Sequence, residues 1–269
     1  MIQLRLSQES FEKMTHESLA VDEVHAWFVR FDELREAESW PSWTELLDTD
    51  ERTRAARFAF ERDRRIYVLA HVLVRRMLSS FANVEPATWR FESGTHGKPR
   101  IVEPAGYEWL KFNLSHTRSG AICGVVRDAE IGVDIETMER ATDCVPLADR
   151  YFSPSETAAL HRAPAERQRE SFFRFWTLKE AYIKARGLGL AIPLDHFSFD
   201  LAGSDSQLSA RCAVPPKISF TPEIQDVPTR WQFAELDCGA GLPAAIAVDR
   251  GEVGERKIVL LQVTDFSRV

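Results

Sequence analysis

The chain has 269 residues, 34 Lys and Arg against 41 Asp and Glu for a formal net charge of −7, and 44% hydrophobic residues. With 17 Phe and 7 Trp it has the apolar surface for a core, which excludes a disordered, collagen-like or low-complexity chain. One large domain or two moderate ones fit this length, and the acidic total weighs against nucleic acid as a default partner.

No run approaches the ~18 apolar residues that a membrane span requires. The opening MIQLRLSQESFEKM lacks the apolar stretch of a signal peptide and the Arg/Ser character of a transit peptide, so the expectation is a cytoplasmic protein with no membrane partner. Cys123, Cys144, Cys212 and Cys238 are far apart and form no CxxC, which favours reduced thiols over disulfides or zinc. Charge is uneven along the chain: residues 1–50 carry a net −8, and residues 51–76, with eight Arg, carry a net +5. On charge alone that basic block reads as a solvated helix face.

In chain order, EVHAWFVRF (23–31) reads as an early strand with imperfect alternation. Helical periodicity follows Trp40-Pro41, with Asp50 as the expected N-cap of the arginine-rich stretch. There Phe58, Ile66, Leu69, Leu73 and Met77 recur at helical steps and leave the complementary face to the arginines. The runs TWRFES, PRIV, KFNLS and GAICGVV then read as short strands. Arg127-Asp128-Ala129-Glu130 marks a division into residues 1–129 and 130–269, and IGVDIE opens the second half as a strand. Ser153-Pro154-Ser155-Glu156 is a capping box with Pro at the first helical position. A long helix is predicted from about Ala165 to Arg186, stopped by Gly187-Leu188-Gly189. The strand-like runs DHFSFDL, KISF, RWQFAEL, AAIAV and KIVLLQV complete the chain. Strand, helices and strands therefore occur twice, which predicts an α+β fold of two similar α/β halves.

Two motifs carry chemistry. In Ile131-Gly132-Val133-Asp134-Ile135-Glu136 the strand alternation turns the three apolar residues to a core and puts Gly132, Asp134 and Glu136 on the other face. Carboxylates at Cα spacings of roughly 6.5–7 Å can share a divalent cation, and Gly132 would leave room beside it. Acid-x-acid alone is more often a solvated strand face. In Phe175-Trp176-Thr177-Leu178-Lys179-Glu180-Ala181-Tyr182-Ile183-Lys184 a helix stacks Trp176, Glu180 and Lys184 on one face. In isolation Glu180 and Lys184 would be an i,i+4 ion pair. Gly94-Thr95-His96-Gly97-Lys98-Pro99 is too short for a phosphate-binding Walker loop, Gly187-x-Gly189 lacks the third glycine of a dinucleotide fingerprint, and HExxH and GxSxG are absent.

Together, GVDIE and the later FWTLKEAYIKARGLGL resemble the paired signature of the 4′-phosphopantetheinyl transferases. FAFERDRR, HGKPRI, FNLSHT and LDHFSFDL fall in that family's order, and the length resembles its larger, surfactin-synthetase-activating subclass, whose two halves stand in a pseudo-two-fold arrangement. The resemblance covers about residues 50 to 200 and implies Mg²⁺-dependent transfer of phosphopantetheine from coenzyme A, as co-substrate, to a serine of an apo acyl- or peptidyl-carrier protein. It implies Asp134, Glu136 and Glu180 as Mg²⁺ ligands, Glu180 and Lys184 as catalytic residues, and Lys184 on phosphate. Arg54, Arg64, Gly97, Lys98, Pro99, Ser115 and His116 would contact coenzyme A, with Arg65 a further basic candidate. His116 is not expected to bind metal, since no second histidine stands at ligand spacing. For Glu180 the metal-ligand role ranks above that of general base, because Mg²⁺ and Lys184 would favour its ionised form.

The nucleophile would arrive on the partner, which accounts for the lack of an activated Ser or Cys motif. An acidic carrier would dock on a local basic or apolar patch rather than through net attraction. A monomer is the simpler expectation, since two halves in one chain can form a site between themselves. The rival readings are a Mg²⁺-dependent nuclease or phosphodiesterase, whose acid-x-Lys is missing after Asp134, and a non-catalytic coenzyme A-binding module, which has no need of three acids.

Overall fold

A computed structural model describes residues 3–6, 19–35, 40–94, 96–139, 141–201 and 215–268. The strands are β1 (Gln3–Leu6), β2 (Glu23–Arg30), β3 (Arg90–Ser93), β4 (Pro99–Glu103), β5 (Leu110–His116), β6 (Gly120–Arg127), β7 (Ile131–Ile135), β8 (Phe197–Asp200), β9 (Lys217–Phe220), β10 (Trp231–Asp237), β11 (Pro243–Asp249) and β12 (Lys257–Gln262). The α-helices are α1 (Trp40–Glu45), α2 (Thr49–Ala56), α3 (Glu61–Ser80), α4 (Cys144–Tyr151), α5 (Pro154–Arg162) and α6 (Ala165–Arg186).

Strands pair in the order β1-β12-β2-β6-β5 in one sheet and β10-β11-β7 in a second, with β3-β4 and β8-β9 as separate hairpins. The antiparallel set β2-β6-β5 is repeated by β11 lying between β7 and β10, and each half runs strand, long helix, hairpin, strand pair. This is the mixed α/β duplication the element order implies. One strand crosses over: β12, near the end of the chain, lies parallel between β1 and β2 in the first sheet.

Three apolar clusters make layers of this topology. Val24, Ala26 and Phe28 of β2, Ile131, Val133 and Ile135 of β7, and Ala244, Ile246 and Val248 of β11 pack between the two sheets. Trp27 and Val29 face the α3 side, and Ala245 and Ala247 face the α6 side. β2 is covered on both faces, so its sequence cannot alternate cleanly. Helix α6 is likewise enclosed: Phe172, Phe175, Leu178, Tyr182 and Ile183 are all buried, and its stop is Gly187 in the left-handed region at φ 63°.

The arginine-rich stretch corrects the reading in three respects. It is two helices, α2 and α3, and Phe58 lies in the break between them rather than on an apolar helical face. The N-cap of α2 is Asp48, not Asp50: Asp48 and Glu51 form a reciprocal capping box. Arg75 does not face solvent but is fully buried, bonded to Glu51, Asp48 and the carbonyls of Pro86 and Trp89. The break lets α2 fold back so that its capping acids reach Arg75. A second buried pair, Lys179 with Glu156 at 2.7 Å, joins α6 to α5, and Lys179 also bonds the carbonyls of Leu194 and Phe197.

The capping box at Ser153 and Glu156 forms as predicted. Cys123, Cys144 and Cys238 carry no disulfide, while Cys212 lies outside the described residues. Among the described residues no helix is long and apolar enough to cross a membrane.

Gly132 sets the distance between β7 and α6. A Cβ there would stand 2.0 Å from the Ala181 carbonyl oxygen and 2.4 Å from the Ala185 nitrogen, both backbone atoms that cannot swing aside. Gly132→Ala is therefore expected to cost about 3 kcal/mol, the upper end of overpacking costs, measured as a lower urea midpoint; an unchanged midpoint would show that α6 does not rest on this strand as described.

Candidate active site

Close packing of α6 on β7 assembles the centre of the site. Sequence spacing gave Gly132 to a metal as free space, but the structure gives that space to the helix backbone. The approach brings Lys184, on α6, over Asp134, on β7. From the other half, β5 reaches across to the edge of β7 that no strand of its own sheet covers. Asn113 Oδ1 accepts the Val133 N–H at 2.9 Å, and Ser115 Oγ accepts the Ile135 N–H at 3.4 Å. Two side chains thus pair backbone donors that would otherwise be stranded between sheets. Asn113 was missed in the sequence, although its place in KFNLS, two residues before Ser115, puts both on one face of the strand.

Asp134 is buried, and its Oδ1 accepts from Lys184 Nζ at 2.6 Å and from Ser115 Oγ at 2.8 Å. Lys184 Nζ also donates to Ser115 Oγ at 2.8 Å. The lysine thus pairs with the strand aspartate, whereas helical spacing alone suggested a pair with Glu180. The second Asp134 oxygen, Oδ2, is buried with no hydrogen-bond partner. An orphaned carboxylate oxygen in such a place is costly unless something cationic or donating completes it.

Glu180, one turn before Lys184, is pushed up to about 7 by burial and by the charge of Asp134, against the lowering effect of Lys184; Glu136 adds to the rise. All three predicted acids therefore share one field. Among the described residues no three His, Cys, Asp or Glu side chains already stand as a complete metal cage. An orphaned carboxylate oxygen beside two further acids suits an ion of the Mg²⁺ kind, which takes one or two carboxylates, waters and the phosphates of a substrate rather than an all-protein cage. The donor set fits such an ion.

Nitrogen-bearing side chains gather around His116. His116 is pushed down to about 4 by burial, with the charges of His71, Lys184 and Arg54 acting in the same direction. His71 is also pushed down to about 4, chiefly by burial; its Nδ1 lies 2.8 Å from the Tyr67 carbonyl and its ring 3.9 Å from the Tyr67 ring. The Arg54 guanidinium sits over Tyr67 at 5.6 Å. Arg54, Ser115, His116 and Lys184 are thus brought together, and Tyr67 and His71 join them without having been singled out in the sequence. Their spacing of four on a helix with Arg54 nearby is the signal that was available.

Other expected contacts lie differently. Arg64 turns to the Trp40 ring at 5.7 Å and to Glu61 at 3.5 Å, and Arg65 is exposed. Gly97 forms the turn of the β3–β4 hairpin at φ 84°, Pro99 begins β4, and Lys98 between them reaches the C-terminal turn of α6. A separate cavity of about 330 Å³ is lined by Met138, Thr177, Arg174, Leu236, Leu242 and Pro243, among others.

Residues 130–247 match a family model described as the 4′-phosphopantetheinyl transferase superfamily, and residues 35–126 match one described as 4′-phosphopantetheinyl transferase, N-terminal. The chain is 32% identical over 231 residues to the 4′-phosphopantetheinyl transferase HetI of a Nostoc species, covering 86% of this chain and 90% of that protein. It is 35% identical over 166 residues to the transferase psf-1 of Bacillus pumilus, covering 62% of this chain and 68% of that one. With the transferase Sfp of Bacillus subtilis the figures are 33% over 166 residues, 61% and 70%.

The carboxyl of Glu180, raised from 4.5 to about 7, binds its proton more tightly in the folded chain than in the unfolded one. Its stabilising contribution is therefore complete below about pH 4.5 and is lost as pH rises to about 7. In chelator-treated protein the melting temperature should fall across that window, and Glu180→Gln should flatten the fall. An equal slope in the variant would remove Glu180 as its source.

Proposed function

The chain belongs to the 4′-phosphopantetheinyl transferase superfamily, and we propose that it moves the 4′-phosphopantetheine group of coenzyme A onto a serine of an apo acyl- or peptidyl-carrier protein. The observation that carries this reading is the Asp134 centre: a buried carboxylate held on one oxygen by Lys184 and Ser115 and left open on the other, beside Glu180. Transfer to a serine hydroxyl forms a bond from that oxygen to the phosphorus bearing pantetheine. It breaks the bond from that phosphorus to the oxygen leaving with adenosine 3′,5′-bisphosphate.

Charge must be neutralised on the phosphates and a hydroxyl must lose its proton. Lys184 supplies a fixed positive charge at the centre, oriented by its bonds to Asp134 and Ser115. Arg54 supplies positive charge, and His71 and His116, held neutral by burial, supply polar ring nitrogens, on the side that would take the remaining phosphate of coenzyme A. A Mg²⁺ ion held by Asp134, Glu136 and Glu180 would neutralise pyrophosphate charge when bound. Glu180 stands first as a ligand; its carboxylate, made more basic by its surroundings, can in its ionised form also accept the serine proton, which is its second role. One chain carries both the β5 and the β7 sides of the site, so a monomer suffices.

Incubation with coenzyme A, Mg²⁺ and a panel of apo carriers should add the mass of one phosphopantetheine to at least one of them. Asp134→Ala and Lys184→Met should each lower the rate by about 10²-fold or more, the scale of losing an electrostatic contact to the transferring group. Failure to modify any carrier, or full activity in both variants, would contradict the reading.

A further inference from the structure

Strand β7 is an edge of its own sheet, and the residues on either side of Asp134 are held there by side chains rather than by another strand. Asn113 Oδ1 accepts the Val133 N–H at 2.9 Å, and Ser115 Oγ accepts the Ile135 N–H at 3.4 Å. Both acceptors are buried, and their alternate positions on β5 put them on one face with the spacing of the two donors. Gly124, opposite Asn113 on β6, makes the approach possible: a Cβ there would stand 2.7 Å from Val133 Cγ1 and 2.9 Å from Ile131 Cδ1.

Ser115 does more than pair an amide. A hydroxyl has one proton to give and two lone pairs with which to receive. The Ser115 proton goes to Asp134 Oδ1 at 2.8 Å, and the lone pairs take Lys184 Nζ at 2.8 Å and the Ile135 N–H. No proton is left to offer a phosphate oxygen. The resemblance counts Ser115 among the contacts of coenzyme A, whereas these bonds commit its hydroxyl to the protein.

We propose that Asn113 and Ser115 are positioning residues, a side-chain joint from one half of the chain that fixes Asp134 and Lys184 of the other, and that the Ser115 hydroxyl is not a coenzyme A contact. This rests on the reading of Asp134 and Lys184 as the transfer centre. Neither Asn113 nor Ser115 touches the reacting atoms. They act through Asp134, whose open oxygen keeps its direction while Val133 and Ile135 are held, and through Lys184, whose ammonium Ser115 orients.

Three variants of the full chain test the assignment. With a modifiable carrier, Ser115→Ala and Asn113→Leu should each lower kcat by about 10-fold or more, the scale of losing a group that orients a metal-binding carboxylate, and raise the Mg²⁺ concentration for half-maximal rate. Asn113→Asp, which keeps an acceptor oxygen in place, should recover most of the rate. In chelator, calorimetric titration should give Ser115→Ala the wild-type affinity for coenzyme A. Hydrogen exchange at the Val133 amide should be faster in Asn113→Leu than in the wild-type chain and restored in Asn113→Asp. Weaker coenzyme A binding by Ser115→Ala with kcat unchanged, wild-type kcat in Asn113→Leu, or an Asn113→Asp chain no better than Asn113→Leu would overturn the proposal while leaving the functional reading in place. A wild-type chain that modifies no carrier would overturn both.

Discussion

A carboxylate taken out of water must be compensated, and the arrangement around Asp134 is organised by that requirement. One of its oxygens is satisfied by a lysine from α6 and a serine from β5, so three elements from two halves of the chain converge on a single atom. Truncating either partner of such a buried pair leaves the other charge stranded. The second oxygen has no protein partner, and that asymmetry separates a site from a purely structural ion pair. Arg75 and Lys179 make the contrast: their buried carboxylate partners, Glu51 and Glu156, are taken up by further hydrogen bonds, and both pairs join helices without opening to a ligand.

Packing and chemistry are coupled through Gly132. The helix that supplies Glu180 and Lys184 can lie on the strand that supplies Asp134 because one residue between them has no side chain. The inner faces of β2 and β11 pack with the apolar face of that strand, and Asn113 and Ser115 fix its edge. The site is therefore rigid where charge must be placed.

Much of this was legible in the sequence. Alternation in IGVDIE placed Ile131, Val133 and Ile135 in the core and Asp134 on the opposite face, and helical spacing put Glu180 and Lys184 one turn apart. Capping residues and glycines marked the start of α5 and the end of α6. What the sequence hid depends on contacts between distant segments. Nothing local tells Arg75, with its fully buried guanidinium, from the exposed Arg62 or Arg65. Gly132 looks the same whether an ion or a helix fills the space above it, and Asp48 competed with Asp50 as a cap. The parallel insertion of β12 beside β2 is also a long-range pairing that periodicity does not encode.

The central claim is that the open oxygen of Asp134, with its neighbouring acids, receives a divalent cation together with coenzyme A phosphate. Electron paramagnetic resonance of Mn²⁺, used as a probe in place of Mg²⁺, tests it most directly. With coenzyme A present, the wild-type chain should bind Mn²⁺ and show phosphorus hyperfine coupling, and Asp134→Ala should lose that coupled signal. An Asp134→Ala chain that holds Mn²⁺ with the same affinity and the same phosphorus coupling would contradict the account.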